Sequence, residues 1–367
     1  MKFLRPILHY GYGSLLRVKE LVKLPFESYL YKGECYYPEY MAKRKHTLSI
    51  IRDQAINILR FGYPNKFYFM YGLDIKGVFD KNDYVDYTAM KQRSKLNNRA
   101  GLMSTVPVLR NKDIFGIVAR EYGFPTPHNI GIISEHKIFL YEQNRVVDLI
   151  DYLTENDIDA FIKRIDGECA DGVYSIKTEN SKIYLDGTLC DNLLQICGGG
   201  QFLLQNRLKA QHSAISAIYP HSINTIRLVT ATNLHTNTVE VLGAVLRVGA
   251  SGNHVDNWAV GGLAIGIDLS TNKLRKFGYY KPGYGIKADR HPDTGIIFSG
   301  YTIPFMNEAI ETAIQFHKRL RNIHSIGWDI AITEEGPCFI EGNDNWEISN
   351  LQVSNQGLSQ QFKRLFY

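Results

Sequence analysis

The sequence predicts an α+β chain in which strands outnumber helices. Short runs of alternating apolar and polar residues recur between residues 160 and 267, whereas few segments show helical spacing. Helices do not separate the strands one at a time, so the pattern does not favour a doubly wound parallel sheet. Near residue 330, two apolar runs flank a polar turn that ends in Gly336, which predicts a β-hairpin.

Composition narrows the class of protein. With 367 residues, of which 44% are hydrophobic and 22% charged, the chain has material for two or three folded units. A net charge of +5 argues against a nucleic-acid binder and fits an anionic small substrate or an anionic membrane surface equally well. Five scattered cysteines predict reduced thiols and a cytoplasmic location. Residues 1–16 predict neither a signal peptide nor a transmembrane segment.

The N-terminal third carries one clear helical signal. Between residues 46 and 60, apolar side chains recur at helical spacing, which predicts an amphipathic helix. These side chains are Leu48, Ile51, Ala55 and Leu59.

A second helix is predicted to begin after Asn111, a residue type that caps helix N-termini well. Its apolar side is expected to contain Ile114, Phe115 and Val118, and Gly123 should end it. A third helix is predicted at 307–321. The predicted strands are 160–165, 173–177, 182–185, 188–189, 202–204, 223–230, 239–248 and 263–267.

The hairpin near residue 330 has a predicted register. A three-residue loop, 334–336, places Gly336 where a left-handed backbone is needed. This loop pairs Asp329 with Glu341 and Ile330 with Ile340. It likewise pairs Thr333 with Pro337, and it sends Ile330, Ile332 and Ile340 to one face.

The opposite face of this hairpin would carry Asp329, Glu341 and Asn343. Two carboxylates and an amide oxygen are ligands that suit Mg²⁺. Like charges directly opposite each other destabilise a strand pair, so a cation would relieve a real cost. A surface hairpin with a polar face explains the same residues, and the hairpin alone does not decide between the two.

A lysine followed by a glycine-bounded loop precedes this hairpin in the chain. Lys163 lies in the predicted strand 160–165, and the loop runs from Gly167 to Gly172. Glycines let backbone N–H groups approach phosphate oxygens, and a lysine adds a point charge. The order of residues is not that of a Walker motif. A plain hairpin with a flexible loop is the competing explanation.

Two strands would each carry an arginine among apolar residues, Arg227 and Arg247. Arginine can bind a phosphate or a carboxylate with two parallel hydrogen bonds. Single strand arginines are usually only solvated. Asp256 and Asn257 stand before a Gly-Gly pair, which a simple turn explains as well. No sequence pattern indicates a protein nucleophile.

The order of these motifs resembles the ATP-grasp superfamily, and within it the sugar-transfer-associated branch, over roughly residues 109–355. The most specific parts are the Gly-Trp-Asp…Glu-Gly-Asn block of the hairpin and the Asn-Thr-Ile-Arg run that ends at Arg227. The resemblance implies a fold in which ATP lies between two α+β subdomains. These would be residues 109–206 and 207–367. Residues 1–108 would form a partly helical N-terminal region and are a candidate for acceptor binding.

The resemblance also implies a role for each residue. Lys112 and Lys163 would contact ATP phosphates under a lid bounded by Gly167 and Gly172. Arg227 and Arg247 would act on the transferring phosphoryl group or the acceptor carboxylate. The implied metal ligands for one or two Mg²⁺ ions are Asp329, Glu341 and Asn343. The other implied nucleotide-binding residues are Gln205, Asn206, Leu208 and Asn257.

The implied reaction is ATP-dependent ligation of a carboxylate to an amine through an acyl phosphate. The substrates would be small molecules, such as an amino acid and a sugar, used in making cell-surface polysaccharides. A kinase that phosphorylates a sugar or alcohol hydroxyl would need the same ATP site. A nucleotide-binding module without turnover is the alternative outside the enzymes. Oligomeric state is not predicted.

Overall fold

The computed structural model describes residues 15–27, 35–100, 105–167, 172–208, 210–253 and 255–367. Residues 168–171 within the predicted lid and most of the N-terminal segment 1–16 lie outside these ranges. Within them the chain contains helices and two antiparallel sheets, as the α+β prediction requires.

The first sheet has eight strands in the order β3-β2-β1-β8-β4-β5-β6-β7. Its interior is apolar, with Ile133, Ile162 and Leu204 fully buried. Two short helices, α5 (Leu149–Glu155) and α6 (Leu193–Cys197), lie in its connections. Its strands are β1 Asn129–Ser134, β2 Lys137–Leu140, β3 Arg145–Asp148, β4 Asp159–Arg164, β5 Val173–Glu179, β6 Lys182–Leu185, β7 Thr188–Leu189 and β8 Gln201–Asn206.

The second sheet has seven strands in the order β13-β12-β11-β10-β9-β14-β15. The hairpin of the sequence analysis forms β14 and β15 at one edge. Its strands are β9 Thr225–Thr232, β10 Val239–Val248, β11 Leu263–Asp268, β12 Lys273–Tyr280, β13 Lys287–Ala288, β14 Ser325–Thr333 and β15 Gly336–Asn343.

The remaining helices pack on the two faces of this seven-stranded sheet. Residues 15–23 are also helical. The named helices are α1 Thr47–Phe61, α2 Tyr87–Ala100, α3 Pro107–Arg110, α4 Lys112–Glu121, α7 Ser213–Ile218, α8 Met306–Arg319, α9 Ser349–Ser354 and α10 Ser359–Phe366.

The two faces of the seven-stranded sheet have different partners. Ile226 and Leu228 on β9 pack toward α8, together with Phe316. Val229 and Ala231 on the same strand pack toward the N-terminal region and toward α9 and α10. Because side chains alternate along a strand, residue 227 lies on the same face as the N-terminal region.

The first predicted helix exists, and two side chains of its apolar stripe, Ile51 and Ala55, pack partly buried against the core. Ile50, Gln54 and Ile58 are buried, whereas Leu48 and Leu59 are 80% and 58% exposed. Gln54 reads as polar in the sequence, yet its amide nitrogen donates to the Asn65 carbonyl and its oxygen accepts from the Asn65 amide. Because the Gln54 amide is satisfied, it can be buried, and the most buried positions of the helix lie one residue before the apolar stripe.

The second predicted helix, α4, begins as expected. The Asn111 side chain accepts hydrogen bonds from the amides of Asp113 and Ile114, both at 3.0 Å. Of the predicted apolar stripe, Phe115 is buried and Val118 packs partly buried against the core, whereas Ile114 is 39% exposed. Ala119, which is fully buried, lies on the face that α4 presents to the seven-stranded sheet.

The hairpin register is partly as predicted. Asp329 does pair with Glu341, and Gly336 has the expected positive φ of 125°. Thr333 pairs with Gly336 rather than Pro337, which shortens the loop by one residue. A register shift after Asp329 compensates, because Ile340 is an extra residue on β15.

This bulge changes which side chain completes the core. Ile330 pairs with Phe339, and both are fully buried. The predicted pairing of Ile330 with Ile340, and the placement of Ile340 in the core, were therefore wrong. Phe339 packs at right angles to Trp328, with ring centroids 5.4 Å apart.

Two further findings concern the described residues only. None of their helices has the length and apolarity needed to cross a membrane. Cys35, Cys190, Cys197 and Cys338 are free thiols.

The division of the chain at residues 108 and 206 stays a prediction, although β8 ends at Asn206.

A buried histidine joins α8 to the seven-stranded sheet. One ring nitrogen of His317 lies 2.8 Å from the Thr230 hydroxyl, and the other lies 2.8 Å from the Ile323 carbonyl. Trp328 donates to the same hydroxyl at 2.8 Å. Burial lowers the pKa of His317 to about 4.

We predict that His317 makes folding pH-dependent. Its pKa is lower in the folded chain than in the unfolded chain, so its contribution is complete above the ordinary histidine pKa of about 6.5 and is lost as pH falls toward 4. Denaturant titrations should show the unfolding free energy of the wild type falling more steeply than that of His317→Asn across this range. The exposed His235→Asn variant is the control, and parallel curves for wild type and His317→Asn would contradict the prediction.

Candidate active site

A buried carboxylate, Asp329, lies at the centre of the candidate site. Arg227 bonds both of its oxygens, through Nε to Oδ1 and through Nη2 to Oδ2 at 3.0 Å. Arg247 donates from Nη2 to Oδ2 at 2.8 Å. The Asp329 side chain is only 6% exposed, and those of the arginines are 11% and 12% exposed. The two predicted arginines therefore converge on one of the predicted metal ligands.

The strand register explains this convergence. Arg227 on β9 pairs directly with Asp329 on β14, and Arg247 on β10 lies opposite Thr225. All four residues occupy one face of the sheet because they alternate with the buried core residues. Burial would raise the pKa of Asp329, but Arg227 and Arg247 hold it well below its usual value.

A second buried carboxylate, Asp256, completes the cluster. Its Oδ2 accepts from the Thr225 amide at 2.9 Å and from the Thr225 hydroxyl, and it lies 3.5 Å from Nε of Arg247. Burial raises the pKa of Asp256, and Arg247 opposes that rise. Burial disfavours the charge on Arg247, but Asp256 and Asp329 outweigh it and raise the arginine pKa. We call Thr225, Arg227, Arg247, Asp256 and Asp329 the arginine cluster.

Glu341 and Asn343 extend the site along β15. The Asn343 amide nitrogen donates to Glu341 Oε1 at 3.0 Å, which leaves the Asn343 oxygen outside this bond. Burial raises the pKa of Glu341, and the negative charge of Asp329 raises it further. The three predicted metal ligands are thus adjacent, but the arginines already neutralise Asp329.

The donor set is suited to a hard cation. The described residues contain no group of three or more His, Cys, Asp or Glu side chains arranged for a metal. The predicted set has two carboxylates and one amide, and all three offer oxygen. Glu341 makes no ion pair with any arginine that the structure describes, and burial and the charge of Asp329 disfavour its ionised form. A cation would relieve this cost, so it fits best at Glu341 and Asn343.

The two predicted phosphate-binding lysines lie on different elements, Lys163 in the other sheet and Lys112 at the start of α4. Lys163 on β4 donates to the Gln205 side chain at 2.7 Å. Burial lowers the pKa of Lys163 to about 8, the charge of Glu341 opposes that change and the charge of Lys112 adds to it. Lys112 donates from Nζ to the Gly167 carbonyl. Lys163 of one sheet and Glu341 of the other therefore act on each other across the site.

The ends of the predicted lid are anchored to β4. Gly172 has φ 66°, and its carbonyl accepts from the Arg164 amide at 2.9 Å. A Cβ at Gly172 would meet the Arg164 side chain at 2.5 Å, so both the conformation and the space require glycine. The closing motion of the lid stays a prediction because residues 168–171 are not described.

The predicted nucleotide-binding segment Gln205–Leu208 makes several hydrogen bonds within the protein. The Gln205 side chain is used internally, since its nitrogen donates to Asn129 at 2.8 Å. The amides of Asn206 and Arg207 donate to the carbonyls of His128 and Asp159. These groups are not offered to a ligand, and Leu208, which follows them, is half-buried.

Asn257 has a structural role in the described chain. Its side chain accepts from the Ala259 amide at 2.9 Å and caps a short 3-10 helix, Trp258–Val260. The sequence singled out Asn257 as a nucleotide contact, but its neighbour Asp256 is the residue that joins the arginine cluster.

Several residues of the site were missed in the sequence. Thr225 lies two positions before Arg227, so strand alternation could have identified it. Lys91 on α2 donates to the carbonyls of Asn345 and Trp346, just beyond the hairpin. No local pattern marks Lys91, because its partners lie more than 250 positions away in the chain.

Comparison with known proteins identifies the family. The model of the sugar-transfer associated ATP-grasp family matches residues 91–365, so the match begins at Lys91. No curated protein matches the sequence significantly.

Solved structures with some similarity are ligases. The D-Ala:D-Ser ligase VanG from Enterococcus faecalis is 12% identical, with a TM-score of 0.41 over 70% of this chain and 61% of that one. The N5-carboxyaminoimidazole ribonucleotide synthetase from Thermotoga maritima is 11% identical, with a TM-score of 0.37 over 71% and 49%. The D-alanine–D-alanine ligase from Bacillus anthracis is 11% identical, with a TM-score of 0.38 over 69% and 64%.

Each of these matches spans less than two thirds of the solved protein. The family model, in contrast, covers most of this chain. The protein therefore belongs to the sugar-transfer associated ATP-grasp family and has the ATP-grasp fold.

Proposed function

We propose that this protein is an ATP-dependent ligase that joins a carboxylate to an amine and releases ADP and phosphate. One observation carries the proposal most directly. Lys163 of the eight-stranded sheet faces Glu341, which pairs with Asp329 of the arginine cluster, and Lys112 at the start of α4 is close enough to Lys163 to lower its pKa. This is the charge pattern expected for a triphosphate with a cation between the sheets. The family name and the ligases among the similar structures support the choice of reaction.

Each part of the site has a proposed task. Lys112 and Lys163 neutralise phosphate charge, and the segment Gln205–Leu208 borders the base. Glu341 and Asn343, with Asp329 beside them, would hold Mg²⁺, which would neutralise phosphate charge. Arg227 and Arg247 are held rigid by Asp329 and stabilise the charge that develops on the transferring group. Catalysis consists of positioning and electrostatic stabilisation, without a covalent enzyme intermediate.

The proposed reaction has two steps. A carboxylate oxygen attacks the γ-phosphorus, the bond to the bridging oxygen breaks, and ADP leaves with an acyl phosphate formed. The amine nitrogen then attacks the acyl carbon, the carbon–oxygen bond breaks, phosphate leaves, and the nitrogen loses a proton. The substrate class we propose is an amino acid and a uronic acid or amino sugar, in cell-surface polysaccharide synthesis in the cytoplasm. The sugar link rests on the family name.

Hydroxylamine trapping tests the reaction. With ATP, Mg²⁺ and a panel of uronic acids and amino acids, we expect ADP and a hydroxamate that forms only with one carboxylate. Asp329→Asn should lower ADP formation by about 100-fold or more, because it leaves two arginines unpaired and misaligned. Asp289→Asn, at an exposed ion pair, should keep wild-type activity.

Two outcomes would contradict the ligase. ADP with a stable phosphorylated product and no hydroxamate would indicate the kinase. No Mg²⁺-dependent ATP turnover with any acceptor would indicate a binding module.

The pKa of Lys163 predicts a proton uptake on ATP binding. At pH 8 about half of Lys163 is neutral in the free protein, and phosphate contact should raise its pKa. Calorimetry in buffers of different ionisation enthalpy should show uptake of up to about half a proton per ATP at pH 8, and affinity should weaken as pH rises above 8. Lys163→Arg keeps its charge and should abolish the uptake. Equal uptake in both proteins would contradict this role of Lys163.

A further inference from the structure

A four-residue turn, Asp344–Glu347, follows the hairpin and is held by the N-terminal region. Lys91 Nζ lies 2.7 Å from the Asn345 carbonyl, 3.0 Å from Asn345 Oδ1 and 2.6 Å from the Trp346 carbonyl. Arg110 bonds both oxygens of Asp344, at 2.9 and 2.7 Å. The turn is therefore fixed at two points by residues that precede the first sheet.

All the donors of Lys91 are used in this contact. An ammonium has three N–H groups, and three acceptors surround it. Burial lowers the pKa of Lys91 to about 8, and the charge of Glu347 opposes that change. Lys91 is thus a positioning residue, since it has no donor left for a substrate.

The turn lies against the arginine cluster. Gly327 on β14 separates them, because a Cβ there would be 2.5 Å from Cβ of Trp346 and 3.6 Å from Cδ of Arg227. Trp346 is buried, and its indole nitrogen donates to Ser325 at 3.1 Å. Glu347, the next residue, is therefore fixed beside the place where an acyl group would be activated.

Glu347 makes no direct ion pair with a described residue, although its charge acts on the nearby ammonium of Lys91. It is half-buried, and one oxygen accepts from the Ser349 hydroxyl. Among the described residues, no Lys, Arg or His nitrogen lies within 4 Å of it. Lys66, another nearby cation, lies instead over the Tyr87 ring at 4.2 Å.

The charge of Glu347 is felt by its surroundings. Burial is the main cause of the raised pKa of Tyr87, and the charge of Glu347 raises it further. The same charge contributes to the raised pKa of Tyr71, whose main cause is again burial. A half-buried carboxylate without a direct ion pair favours a cationic ligand, because partial burial strengthens the attraction.

We propose that Glu347 is the residue that binds the amino group of the acceptor. The proposal rests on the ligase function and deepens it, because it assigns the amine to the side of the site formed by α2 and the turn. Lys91 positions Glu347 by fixing the two peptides before it. The class of acceptor is a primary amine that is cationic before reaction.

The test uses methylammonium as a competitor of hydroxylamine at pH 7. In the wild type, methylammonium should lower carboxylate-dependent hydroxamate formation, whereas sodium chloride at equal ionic strength should not. Glu347→Gln should keep hydroxamate formation and the KM for the carboxylate, but should raise the half-inhibiting methylammonium concentration about tenfold or more, the loss expected for a charge-assisted hydrogen bond.

Glu335→Gln, at the exposed tip of the same hairpin, should behave as the wild type. Equal inhibition of wild type and Glu347→Gln, or no inhibition of either, would overturn the proposal. Loss of hydroxamate formation in Glu347→Gln would also overturn it, because Glu347 would then serve the first step or the fold. Absence of hydroxamate in the wild type would contradict the ligase function instead.

Discussion

The buried contact of Asp329 with Arg227 and Arg247 is the constraint on which the site depends. It joins β9, β10 and β14, and it turns two guanidinium groups toward one point. Removing one partner of such a buried pair typically costs about 3–5 kcal/mol, because the other charge is left uncompensated. The same contact fixes the arginines before any substrate arrives, which is the condition for effective electrostatic catalysis. Glu341, which makes no ion pair with a described arginine, acts on Lys163 of the opposite sheet, and in the function we propose it would also hold a metal.

The site is assembled from three parts of the chain. The eight-stranded sheet and the adjoining helix α4 provide Lys163 and Lys112, and the seven-stranded sheet provides the arginine cluster and Glu341. The N-terminal region packs on the same face as the arginine cluster, since Val229 and Ala231 on β9 contact it. Through Lys91 and Arg110 this region also fixes the turn that carries Glu347. The residues before the first sheet thus help to form the acceptor side in the function we propose.

Much of the fold and part of the site could be predicted from the sequence. Strand alternation placed Arg227, Asp329, Glu341 and Asn343 on one face because a two-residue period survives most errors of register. The pairing of Asp329 with Glu341 was predicted from a loop that is one residue too long. The pair forms nevertheless, because the extra residue Ile340 restores the register. A bulge has no reliable sequence signal, so the role of Phe339 could not be foreseen. Gln54 and Lys91 were missed for a related reason: their burial is compensated by partners that only the folded chain supplies.

The central claim is that a triphosphate and its cation lie between Lys163 and Glu341. The most direct measurement is a crystal structure with a non-hydrolysable ATP analogue and Mn²⁺, in which anomalous scattering locates the cation. The account predicts a Mn²⁺ peak at Glu341 and Asn343, with the terminal phosphate between Lys163 and the arginine cluster. A nucleotide that contacts neither Lys163 nor the arginine cluster, or a Mn²⁺ peak with no contact to Glu341, would contradict it.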